Sequence, residues 1–102
     1  MTAMGFLSVA PVTESSMAAD VADAVAALEN FDVRYETTAM GTLIEAEDAA
    51  EVFAAAQAAH EAVDADRVST FLKVDDKRTS TAPMTAKVAS VEEELGRPAR
   101  RE

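Results

Sequence analysis

Apolar and polar positions alternate with two different periods along this chain, and the switches between them mark out its elements. From Met4 to Val12 the run MGFLSVAPV is almost wholly apolar and is broken by Pro11, which predicts a strand. Thr13-Glu14-Ser15-Ser16 is rich in helix-capping residues, and from Met17 to Phe31 the apolar residues Val21, Ala24, Val25 and Leu28 recur at helical spacing. Val33 to Ala39 alternates Val33, Tyr35 and Thr37 with Arg34, Glu36 and Thr38, the signature of a half-buried strand. Met40-Gly41 is a turn in which glycine is expected to supply a positive φ, and Thr42 to Ala46 is the returning strand of a hairpin. Glu47-Asp48 opens a second helix reaching Val63, with Val52, Phe53, Ala56, Ala59, His60 and Val63 along one face. Arg67 to Asp75 is a fourth strand, residues 76–83 a polar loop, and Met84 to Leu95 a short third helix stopped by Gly96-Arg97-Pro98. The order β-α-β-β-α-β plus a C-terminal helix is that of an α+β, ferredoxin-like sandwich. It predicts one domain over residues 1–98 and a mobile tail over 99–102.

Composition narrows what such a domain could do. The 102 residues carry 19 Asp and Glu against nine Lys and Arg, a net charge of −10. Nucleic acid and anionic membrane surfaces both demand a basic face, so neither is an expected partner. Few lysines, abundant alanine and high acidity fit a protein adapted to high salt, where screening relieves self-repulsion. There is no Cys, which excludes disulfides and thiolate metal sites, and neither a signal peptide nor a membrane-spanning run is evident. The expected location is the cytoplasm.

Period-two sorting gives the sheet two unequal faces. Leu7, Val9, Val33, Tyr35, Ile44, Val68, Leu72 and Val74 form the face that the helices cover. The other collects Phe6, Ser8, Arg34, Glu36, Thr38, Leu43, Glu45, Ser69, Phe71 and Lys73. Phe6, Leu43 and Phe71 together are more apolar than a solvated face requires, so a second subunit is expected to cover them; a few tolerated exposed apolar residues are the alternative. Glu45, on a central strand of this face, needs a partner when buried. Lys73, Arg34, Ser8, Ser69 or Thr38 could supply it, and so could a ligand.

No catalytic constellation is visible. His60 stands alone on a helix with no nucleophile near it in a recognisable motif, and a packing or surface role suits it. Asp75-Asp76 before Lys77-Arg78 lacks the spacing of a calcium loop, and Glu92-Glu93-Glu94 reads as a solvated helix face. Nothing assembles a nucleophile, base and oxyanion hole. No metal and no cofactor is expected.

The hairpin is less generic. Ala39-Met40-Gly41-Thr42-Leu43-Ile44-Glu45 resembles the MGT hairpin of the thiamine-binding protein family. Ser8-Val9-Ala10-Pro11 is similar to that family's first strand end, and Ala59-His60-Glu61-Ala62 to its second helix. Leu72-Lys73-Val74-Asp75-Asp76-Lys77-Arg78 resembles its K-I-D-D-R strand end, with Val74 in place of the usual Ile and Lys77 inserted before Arg78. Met84-Thr85-Ala86-Lys87-Val88 with Ser90-Val91 is similar to its last helix. The resemblance implies a ferredoxin-like fold assembled as a homodimer or homotetramer through sheet faces. It also implies non-catalytic binding of thiamine or its hydroxymethylpyrimidine part. Glu45, Thr38, Met40, Gly41, Thr42, Ser8, Ser69, Phe71 and Lys73 are the expected ligand contacts, with Glu45 pairing to the nitrogen edge of an aminopyrimidine. A regulatory module with no ligand of its own, or a small enzyme, are the competing expectations.

Overall fold

The structure, a computed structural model, describes residues 2–100; Met1 and the tail residues Arg101 and Glu102 lie outside the described residues. Strand β1 (Thr2–Pro11) is followed by helix α1 (Ala18–Ala27), prolonged by one 3-10 turn over Leu28–Asn30. Strands β2 (Arg34–Thr37) and β3 (Thr42–Ala46) form the hairpin, helix α2 (Ala49–Glu61) leads into β4 (Val68–Lys77), and helix α3 (Thr85–Leu95) closes the chain. The sheet is antiparallel in the order β2-β3-β1-β4. Each βαβ crossover skips one strand, so the two interleave and put α1 and α2 on the same face. This is the ferredoxin-like sandwich expected from the order of elements.

The core lies between that face and the two helices. Leu28, Ile44 and Val52 are its largest fully buried side chains, each contributing about 1.5–3 kcal/mol by burial. Ala3, Ala24, Ala46, Ala55, Ala56 and Ala59 fill much of the rest, and such small side chains let α2 lie close on the sheet. The face sorting holds in the register. Leu7 pairs with Leu72 and Thr42 on the helix side, while Phe6 pairs with Leu43 and Lys73 on the other.

Several boundaries differ from expectation. Strand β1 starts at Thr2, because its pairing with β4 continues to Lys77, and Val12 falls outside it, 53% exposed. Strand β2 is shorter than expected, since Thr38 already belongs to the turn and donates its N–H to Gly41 O at 2.8 Å. Met17 is the N-cap of α1, and none of the Ser or Thr residues before it caps the helix with a side chain. Asp48 does cap α2, accepting from Glu51 N at 2.9 Å. Phe53 and His60 lie off the buried face of α2. Phe53 is 54% exposed, and the His60 ring hydrogen-bonds the Thr70 hydroxyl of β4. Gly96 ends α3 with φ of 70°, donating back to Glu92 O at 2.9 Å, as its place after Leu95 suggests.

Gly41 is needed for a different reason from the one expected. Among the described residues only Gly96 has a positive φ. At Gly41 a Cβ would lie 2.7 Å from the Leu7 carbonyl oxygen and 2.8 Å from Phe6 Cζ. The glycine therefore lets the hairpin close onto β1.

Candidate ligand-binding site

The hairpin sits where β1 loses a neighbour. Strand β1 pairs with β3 only as far as Leu7 but with β4 as far as Pro11. Past Leu7, the β3-side backbone of Ser8 to Ala10 therefore has no ladder partner. A strand directs its N–H and C=O groups alternately to its two sides, so this stretch keeps donors and acceptors available there. The missing strand is replaced by a cavity of about 180 Å³. It is lined by Ser8, Val9 and Ala10, by the hairpin from Thr37 to Thr42, and by Met17, Val21, Val25 and Leu28 of the α1 region.

The hairpin wall is held by Thr38. Its hydroxyl donates to Gly41 O at 2.7 Å and accepts from Met40 N and Gly41 N at 3.3 Å, so it has no capacity left for a ligand. Thr42 is different. It is only 6% exposed, it lines the cavity, and its hydroxyl enters no side-chain hydrogen bond among the described residues. Met40, 80% exposed, stands at the mouth. Among the described residues, no charged side chain lines this cavity.

Of the residues expected to contact a ligand, the structure brings Ser8, Thr38, Met40, Gly41 and Thr42 together here. It places the others apart. Glu45 is 5% exposed on the opposite face, at the far end of β3, where Arg34 Nη2 is 2.9 Å from its Oε1. The same oxygen accepts from Met84 N at 3.0 Å, at the start of α3. The carboxylate expected to lie between subunits is thus covered by the chain's own third helix. It borders a second, polar cavity of about 590 Å³ with Thr2, Asp32, Glu47 and Asp48.

Ser69, Phe71 and Lys73 lie along β4 on the face opposite α1 and α2. Phe71 is 59% exposed and stacks edge-on to Phe6, with ring centres 6.3 Å apart. Asp75 shares this face and bonds Lys87 of α3. That hydrogen bond, and then the Lys87 charge, hold its carboxyl below the usual carboxylate range; partial burial opposes them, and Lys73 and Lys77 assist.

A sequence model of the family described as thiamine-binding protein matches residues 6–92 of this chain. The chain belongs to the thiamine-binding protein family. The UPF0045 protein of Methanothermobacter thermautotrophicus is 49% identical over 84 residues, covering 79% of this chain and 85% of that protein. Among solved structures, the hypothetical protein MJ1052 of Methanocaldococcus jannaschii superposes with a TM-score of 0.81 at 29% identity, covering 90% of this chain and 97% of that one. A Thermotoga maritima protein, whose name proposes a role in thiamine biosynthesis or salvage, gives 0.75 at 18% identity, covering 89% of this chain and 99% of that one, and shares the fold.

The α1 wall of Met17, Val21, Val25 and Leu28 did not stand out in the sequence, because an apolar stripe facing a cavity looks the same as one facing a core. Its spacing opposite the hairpin motif was the one signal available. Among the described residues, no group of three or more His, Asp or Glu side chains could hold a metal ion. Nor, among the described residues, is any helix long and apolar enough to cross a membrane.

Proposed function

We propose that this chain binds the hydroxymethylpyrimidine part of thiamine in the cavity behind the Thr38–Thr42 hairpin, without catalysing a reaction, and does so as a homo-oligomer. The observation that carries the reading is the cavity's wall chemistry: apolar side chains, no charge among the described residues, the unengaged hydroxyl of Thr42 and unpaired strand backbone along Ser8 to Ala10. An aminopyrimidine is flat, so apolar walls suit its faces. Its edge alternates ring nitrogens with an exocyclic amine, which matches the donors and acceptors of a strand edge. At about 180 Å³ the space is smaller than the roughly 300–1,000 Å³ of typical drug-sized sites, which suits one ring. The family's description supports the ligand class.

Oligomerisation rests on the opposite sheet face. Helix α3 covers only the end carrying Glu45 and Asp75, and none of its residues is buried. Phe71 beside Phe6, together with Val91 and Leu95 at 54% and 47% exposure, leaves apolar surface that a second copy would cover.

Titration calorimetry with hydroxymethylpyrimidine tests the site. Thr42→Val keeps the shape of the side chain and removes its hydroxyl, and it is expected to weaken binding about tenfold. Binding unchanged in Thr42→Val but lost in Glu45→Gln would move the site to the other face.

A further inference from the structure

The polar cavity of about 590 Å³ lies at the other end of β3 from the hairpin and takes no part in the pyrimidine reading. Its floor is Thr2 and Glu45, 7% and 5% exposed, and its rim carries the exposed side chains of Asp32, Arg34 and Glu47. Two floor oxygens have no hydrogen-bond partner among the described residues. One is the Thr2 hydroxyl. The other is Glu45 Oε2, since Arg34 and the Met84 amide both meet Oε1. Neither oxygen is sealed: among the described residues only Asp76 Oδ1, outside this cavity, is both shut off from solvent and unbonded. The two floor oxygens therefore open into the space that their residues line. We propose that this cavity is a second site, separate from the hairpin cavity, and that it binds an aliphatic di- or polyammonium ion, with one primary ammonium seated on Glu45 Oε2 and the Thr2 hydroxyl.

The lining selects that chemistry. Asp32, Glu45, Glu47 and Asp48 bring four carboxylates against the single guanidinium of Arg34, which already pairs with Glu45. Asp48 spends Oδ1 on the α2 cap, whereas Asp32 and Glu47 have no ion-pair partner among the described residues. Anions are repelled, and more than one positive charge is needed to balance the walls. A buried carboxylate oxygen beside a hydroxyl calls for N–H donors, and a primary ammonium offers three with no acceptor of its own. No aromatic side chain lines the cavity among the described residues, so a quaternary ammonium or a flat cation such as a thiazolium finds neither a ring face nor a use for the floor oxygens. A bare metal ion is not matched either, because no three of the described carboxylates converge closely enough to ligate one. Val33 and Ala46 offer apolar wall to a methylene chain, and the volume is within the roughly 300–1,000 Å³ of small-molecule sites.

Calorimetry on the whole protein at fixed ionic strength tests this, with butane-1,4-diamine as the probe and with butylamine and the bis-trimethylammonium analogue of the diamine for comparison. Wild type is expected to bind one diamine per chain, at least about tenfold more tightly than butylamine, and to give no saturable binding of the quaternary analogue. Thr2→Val keeps the shape of the side chain and removes its hydroxyl, and should weaken diamine binding about tenfold. Asp32→Asn with Glu47→Gln should bring the diamine down to the affinity of butylamine. Both variants keep the bonds from Glu45 to Arg34 and to the start of α3, so they decide the matter even where Glu45→Gln loosens that helix. Hydroxymethylpyrimidine affinity should be the same in all of them. No diamine binding, or a quaternary analogue bound as well as the diamine, would overturn the proposal. So would an affinity unaltered in Thr2→Val and in the rim pair, which would reduce the effect to general attraction by a chain of net charge −10. Each of these results leaves the pyrimidine site standing. Competition between the diamine and hydroxymethylpyrimidine would place both in one cavity and overturn the second site.

Discussion

At Gly41 one missing methyl decides whether the hairpin can reach β1. Gly41→Ala would press a Cβ against a backbone carbonyl, which cannot swing away as a side chain can. We expect a loss of about 1–3 kcal/mol in urea unfolding, typical of overpacking, and a weakened ligand site. Glu45 behaves differently: its carboxylate accepts from Arg34 and from the Met84 amide, and Arg34 itself is largely exposed. Glu45→Ala should cost about 1.5–3 kcal/mol, most of it from the charged hydrogen bond to the amide. It should leave pyrimidine affinity unchanged by calorimetry. The reading of Glu45 as a ligand contact arose from a real requirement, since a buried carboxylate on a central strand needs a partner. Its partners are Arg34, one of those the sequence offered, and a backbone N–H lying 39 residues further on, which no side-chain pattern announces.

The order of elements was legible because each switch between alternation and helical spacing coincided with a turn or capping residue. Bounds were less so. Strand β1 extends to Thr2 because Lys77 is there to pair with it, a fact of the partner strand and not of the local sequence. The hairpin motif marked half of the hairpin cavity; the α1 half was hidden, because Val21 and Val25 satisfy a helix pattern whatever they face. The docking of α3 is likewise an element-scale property. It rests on the Met84 amide at Glu45 and on Lys87 at Asp75. The native pKa of Asp75 is depressed, so its contribution to stability is present above the unfolded carboxylate value of about 3.9 and is lost as pH falls through the lower native value. The difference in melting temperature between wild type and Asp75→Asn should accordingly exist near neutrality and close in acid. A gap independent of pH would contradict the ion pair.

For the whole molecule, charge and the uncovered sheet face set the expectations. A net charge of −10 on 102 residues repels itself in dilute buffer. Melting temperature should therefore rise as salt is added from about 0.1 M to 1 M, beyond the Debye screening of surface pairs. Phe71→Glu should convert an oligomer to monomer in sedimentation velocity, since it puts a charge in the middle of the apolar face. A sedimentation coefficient identical to wild type would remove that face from the assembly. The central claim is the location of the ligand. Its most direct test is the set of backbone amide shifts in a heteronuclear spectrum on adding hydroxymethylpyrimidine. The account predicts that the changes gather at Ser8 to Ala10, Thr38 to Thr42 and the Met17 to Val25 stretch. Changes confined to Arg34, Glu45 and Met84, with the hairpin silent, would contradict it.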